Sequence, residues 1–97
     1  PKPKPAKAPK DGSIKDQIET GWDFAETNPD QALSSFQKAL NSAPSSAEAN
    51  YGYGYILLKQ GKFDSAKTYL CKALNSDSVD TQREVRGLLA RQKLACR

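Results

Sequence analysis

The 97-residue chain contains no histidine, which excludes a histidine/cysteine zinc site and any histidine-based catalytic triad. It has only two cysteines, Cys71 and Cys96, whereas small secreted domains that rest on disulfides usually carry roughly four or more. No run approaches the roughly 20 consecutive apolar residues of a membrane-spanning helix. The basic n-region and apolar h-region of a secretory signal are missing as well. The sequence opens on Pro1 without an initiator methionine, which reads as a processed product or a fragment. There is no glycine-rich phosphate loop and no metal-ligand spacing. Asp16, Glu19, Asp23 and Glu26 recur at i, i+3/i+4, the spacing of a solvated helix face rather than of converging catalytic acids. No catalytic residue, cofactor or metal is therefore expected, and the chain reads as a non-enzyme.

What is present fits one small helical domain: 37% hydrophobic and 27% charged residues support a single lean core and no more. The net charge of +4 comes from the ends. Residues 1–10 hold Lys2, Lys4, Lys7 and Lys10 with no acid, and residues 81–97 hold five basic residues against Glu84. Between them, residues 11–80 set ten acids against six lysines. A nucleic-acid binder places its basic stripe on the folded surface, so this distribution argues against that function. Residues 1–12 are rich in Pro and Lys; proline fixes φ and like charges repel, so the segment is expected to be an extended spacer. The spacing Pro1-x-x-x-Pro5 gives no clean proline-rich ligand.

Beyond it the chain repeats itself. Asp30–Ser42 and Asp64–Ser76 share seven identities in thirteen positions at an offset of 34 residues: Asp30/Asp64, Ala32/Ala66, Lys38/Lys72, Ala39/Ala73, Leu40/Leu74, Asn41/Asn75 and Ser42/Ser76. Boundary signals frame the repeat. Asn28-Pro29 pairs an N-cap residue with proline at the first helical position. Ser45-Ser46-Ala47-Glu48 reads as a capping box, and Gly61 as a left-handed C-terminal residue. Thr81-Gln82-Arg83-Glu84, or Asp80 before it, opens a last helix. Five helices are predicted, over 13–27, 29–42, 46–60, 63–76 and 79–95, joined by turns short enough to force antiparallel hairpins.

These residues resemble the tetratricopeptide repeat (TPR) family. The match is closest over 47–80, where Tyr53-Gly54 and Leu57, then Phe63, Ala66, Leu70, Ala73 and Leu74, fall on the family's signature positions. Asn50 stands where the family often has Trp, and Ser78 where it often has Pro. The resemblance implies an all-α fold of antiparallel helix hairpins in a right-handed superhelix: a degenerate repeat over 13–45, a second over 46–78, and a capping helix over 79–97. The alternative for 79–97 is half of a third repeat completed elsewhere. The small residues have a packing reason, since Ala32, Ala39, Ala66, Ala73 and Gly54 lie where paired helices approach closely. Ile14, Ile18, Trp22 and Ala25 form one apolar face of the leading helix. Its Gly21 precedes Ala32 by 11 residues, whereas Gly54 precedes Ala66 by 12, so either the turn is one residue shorter or the register differs.

The resemblance also implies function: a protein-interaction module binding a peptide or protein on its concave face, with a structural or self-assembly element of an envelope-anchored complex as the alternative. The candidate partner-binding residues are Glu48, Tyr51, Tyr55 and Lys59, one stripe of the third helix. Tyrosines offer stacking area and hydrogen bonds at low entropic cost. The competing reading packs the same tyrosines against the leading and capping helices. The family's carboxylate clamp is absent, because its positions hold Gln17, Ile18, Gly21, Tyr51, Gly52 and Tyr55. Pro/Lys spacers ahead of such repeats resemble those of bacterial envelope proteins. An internal disulfide is not expected: were the last helix continuous to residue 95, Cys96 would lie about 18 Å beyond the level of Cys71, against the roughly 7 Å a disulfide allows between Cα atoms.

Overall fold

The computed structural model describes residues 14–96, and the Pro/Lys-rich stretch 1–12 lies outside them. Among the described residues there are five helices and no strand: α1 (Ile14–Phe24), α2 (Pro29–Ser42), α3 (Ala47–Lys59), α4 (Phe63–Ala73) and α5 (Val79–Arg91). They form two helix hairpins, α1–α2 and α3–α4, with α5 against the second, as the tandem repeat predicts.

Each boundary has a local cause. Proline disfavours helical backbone in the residue before it, and Asn28 is accordingly non-helical; its side chain caps α2 by accepting from Gln31 N at 3.3 Å. Ser46, rather than Ser45, caps α3 by accepting from Ala49 N, so Glu48 closes no capping box. Gly61, at φ +79, ends α3 in a Schellman motif: Gly61 N donates to Leu58 O and Lys62 N to Leu57 O. Ser78, rather than Thr81 or Asp80, caps α5, accepting from Thr81 N at 3.2 Å. Four helices stop short of their predicted ends: α3 by one residue at Lys59, and by three or four α1 at Phe24, α4 at Ala73 and α5 at Arg91.

The core rests on close approach through small residues. Ala32, Ala39, Ala66 and Ala73 are fully buried. Leu70 of α4 lies so near Gly54 of α3 that a Cβ there would stand 2.8 Å from its Cγ. Phe36, one repeat earlier, holds the same relation to Gly21, whose Cβ would stand 2.6 Å from the ring's Cζ. Gly21 therefore does in the first hairpin what Gly54 does in the second; the connection 25–28 is no shorter than 60–62, and the missing residue comes from the end of α1, which stops at Phe24 while α3 runs on to Lys59. Ile18, Trp22 and Ala25 face the core as expected, whereas Ile14, expected on the same face, is exposed at the start of α1.

The cysteines correct the sequence expectation. Cys71 and Cys96 form a disulfide with a Cα–Cα distance of 5.6 Å. The expectation failed because it extended α5 to residue 95. The helix stops at Arg91, and Lys93 adopts a positive φ of 56°. Lys93 N then donates to Ala90 O and Leu94 N to Leu89 O, a second Schellman motif that turns the chain back. Leu94 packs against the core and Cys96 returns to α4.

Candidate functional site

The side chains singled out on α3 point to different fates. Glu48 is exposed on the first turn. Tyr51, 5% exposed, is buried between the neighbouring elements. Its ring lies 5.2 Å from that of Trp22 on α1, and its hydroxyl donates to Glu84 Oε1 on α5 at 2.7 Å. Burial, then the Glu84 carboxylate, pushes its phenol well above the ordinary range. Tyr55, one turn on, is half-buried, with its ring 5.4 Å from Trp22. Its hydroxyl donates to Glu26 Oε2 at 3.0 Å.

Lys59 ends the stripe, exposed and paired with Glu26 Oε1 at 2.9 Å; its ammonium also sits 5.6 Å from the Tyr55 ring centre. Hydrogen bonds from Lys59 and then Tyr55 hold the Glu26 carboxyl below its ordinary value, and the same bond raises Lys59. The structure thus brings Tyr55 and Lys59 together around one carboxylate, whereas Glu48 stands apart at the other end of α3. The result is a continuous face carried by α1, α3 and α5, floored by Trp22 and two tyrosines and fastened at both edges by carboxylates. Trp22 Nε1 at this floor has no hydrogen-bond partner among the described residues.

Three neighbours of the α3 stripe were not assigned to it by sequence reasoning: Glu26, Glu84 and Trp22. Glu26 belongs to an acidic run that local spacing assigns to solvent, and its partners lie 29 and 33 residues away. Glu84 likewise meets Tyr51 across 33 residues. The available signal was the recurrence of 33–34 residues itself, which sets the first helices of successive hairpins side by side.

On the opposite side, Tyr53 pairs edge-on with Tyr69 at 4.5 Å between ring centres, with Lys72 5.5 Å from the Tyr69 ring. Among the described residues no His/Cys/Asp/Glu group suits a metal ion, and no helix is long and apolar enough to cross a membrane. A family model described as tetratricopeptide repeat matches residues 23–91, from the end of α1 to the end of α5. No curated protein and no solved structure matches the chain.

Proposed function

Since this chain belongs to the tetratricopeptide repeat family, whose domains generally mediate protein–protein interaction, we propose that it binds a peptide or protein partner within a larger complex, on the face shared by α1, α3 and α5. In the family's superhelix the first helices of the hairpins line the concave side. The observation that carries the reading is the juxtaposition of the half-buried Tyr55 ring with the exposed Lys59–Glu26 pair. Such a patch offers an apolar surface flanked by a donor and an acceptor, and its charges are wet enough to exchange their mutual contact for a ligand's. Glu48 and Lys59 mark the two ends of the stripe. Tyr51 contributes from beneath, holding α3 against α1 and α5 so that the face keeps its shape.

The test leaves the floor intact. The full chain is used to capture partners from extracts of its source, with Tyr55→Ala/Lys59→Ala beside wild type and helicity checked by circular dichroism. Loss of specific partners by the folded double variant is expected; recovery of the same partners by both proteins sinks the reading.

A further inference from the structure

The geometry around α5 points to a device that the binding reading does not include. Helix α5 is anchored through Thr81, Val85, Leu88 and Leu89, while Arg83, Arg86 and Ala90 are exposed. Beyond it, residues 92–96 form a return segment with few attachments: Leu94 against the core, the backbone bonds of the Schellman turn, and the bond to Cys71. The turn depends on Lys93 in the left-handed region, which favours glycine and is adopted by other residues only when the surroundings impose it. Cys96 is an exposed residue and Cys71 a half-buried one, so the Cys96 side is the open approach to the bond. The helix that this clasp secures supplies Glu84, the acceptor that fixes Tyr51 at the floor of the candidate face.

We propose that the Cys71–Cys96 disulfide is a redox-sensitive clasp on α5, and that opening it by a dithiol reductant loosens this helix and with it the α5 edge of the α1–α3–α5 face. The exchange runs in two steps. A thiolate of the reductant attacks Cys96 Sγ; the protein's S–S bond breaks, a mixed disulfide forms on Cys96, and Cys71 leaves as a thiolate that takes up a proton. The second thiol of the reductant, as its thiolate, then attacks its own sulfur in the mixed disulfide. It closes a cyclic disulfide and releases Cys96, which is protonated in turn. Two electrons pass to the protein, which gains two thiols, and the reductant is oxidised. Helices α1 to α4 hold their own core through Phe36, Leu70 and the four buried alanines, so they stay folded when the clasp opens.

The experiment is hydrogen–deuterium exchange of the full chain, oxidised, and after dithiothreitol treatment without denaturant followed by alkylation. Cys71→Ser/Cys96→Ser serves as a second form that no reductant or alkylating group has touched. The expected result is exchange faster by about a hundredfold over residues 79–96, the loss of a constraint closing a loop of this length, with α1–α4 unchanged in both reduced and serine forms. Unchanged protection of 79–96 overturns the proposal, because packing alone then holds the helix. Collapse of protection in all five helices overturns it too, because the bond is then a staple of the whole fold. A disulfide that resists dithiothreitol until denaturant is added also overturns it. No partner enters this measurement, so its failure leaves the binding reading standing, and the capture experiment, done with the disulfide intact, leaves the clasp untouched.

Discussion

Phe36 shows how little room single residues have in this domain. The ring is fully buried between Gly21 of α1 and Gly52 of α3, and a Cβ on either glycine collides with it. A buried ring cannot yield as a flexible surface side chain does, so Gly52→Ala must shift a helix. We expect it to destabilise the fold by about 2 kcal/mol, read as a fall in Tm of about 10 °C for a domain of this size. Gly87 provides the control: a Cβ there meets only Arg91 Nη1 at 3.9 Å, and alanine improves helix propensity. Gly87→Ala is therefore expected to leave Tm unchanged or raise it. Tyr51 makes a second residue-scale case. Its hydroxyl bonds the Glu84 carboxylate, which is itself exposed and free to turn to water. Tyr51→Phe should therefore cost about 1 kcal/mol in urea unfolding, whereas Tyr51→Ala removes a ring packed on Trp22 and should cost about 3 kcal/mol or more.

At the scale of the helices, the number, order and starts of the elements were legible, because proline and the 34-residue period announce them, although Ser46 and Ser78 cap α3 and α5 in place of the residues read from the sequence. Ends were less so. Helix α4 gives way to i→i−3 bonds at Leu74, Asn75 and Ser76, although Leu74-Asn75-Ser76 copies the helical Leu40-Asn41-Ser42 one repeat earlier. The end of α5, and hence the disulfide, depends on a left-handed lysine that no propensity announces. The candidate face was legible in the same measure: the α3 stripe followed from periodicity, but its partners on α1 and α5 are tertiary. The link between Glu26, just past the end of α1, and α3 gives a pH prediction whose sign follows from the shifts. Glu26 is held below its ordinary 4.5, so its contribution is full above that value and disappears as pH falls through the lowered one. Lys59 is raised above 10.5 and Tyr51, Tyr53 and Tyr55 above 10, so their contributions are full below those values and are lost as pH rises through the raised ones. Thermal melts should accordingly give a plateau that falls at both ends. The difference between wild type and Glu26→Gln should be present at neutral pH and vanish on acidification below 4.5. A difference that persists in acid would mean that the Lys59–Glu26 pair is not what joins these helices.

For the molecule as a whole, the question is whether the array ends at α5 or continues into another copy. The outward side of α5 carries Arg83, Arg86 and Ala90, exposed, while its apolar residues Val85, Leu88 and Leu89 turn inward. Helical arrays need such a wet outer face on their last element, since an apolar one would seek another hairpin. Val79, 61% exposed at the start of α5, is a single apolar residue and makes no patch. The opposing consideration is electrostatic. The acidic run of α1 and the basic side of α5 are complementary, and two copies placed end to end would bring them together. Exposed ion pairs are weak individually and screened at ordinary salt, so without an apolar seam between copies they do not hold a stable oligomer. We therefore expect light scattering on a sizing column to give the monomer mass of 10.6 kDa, independent of loading concentration, at about 0.15 M salt where the screening length is about 8 Å. Lowering the salt separates the explanations further. Association that appears only at low salt is the complementary charge acting alone, and leaves the capped monomer as the working form. A defined oligomer that persists at high salt requires buried apolar area at an end of the array, and would make self-assembly, rather than capture of a separate partner, the function of this domain.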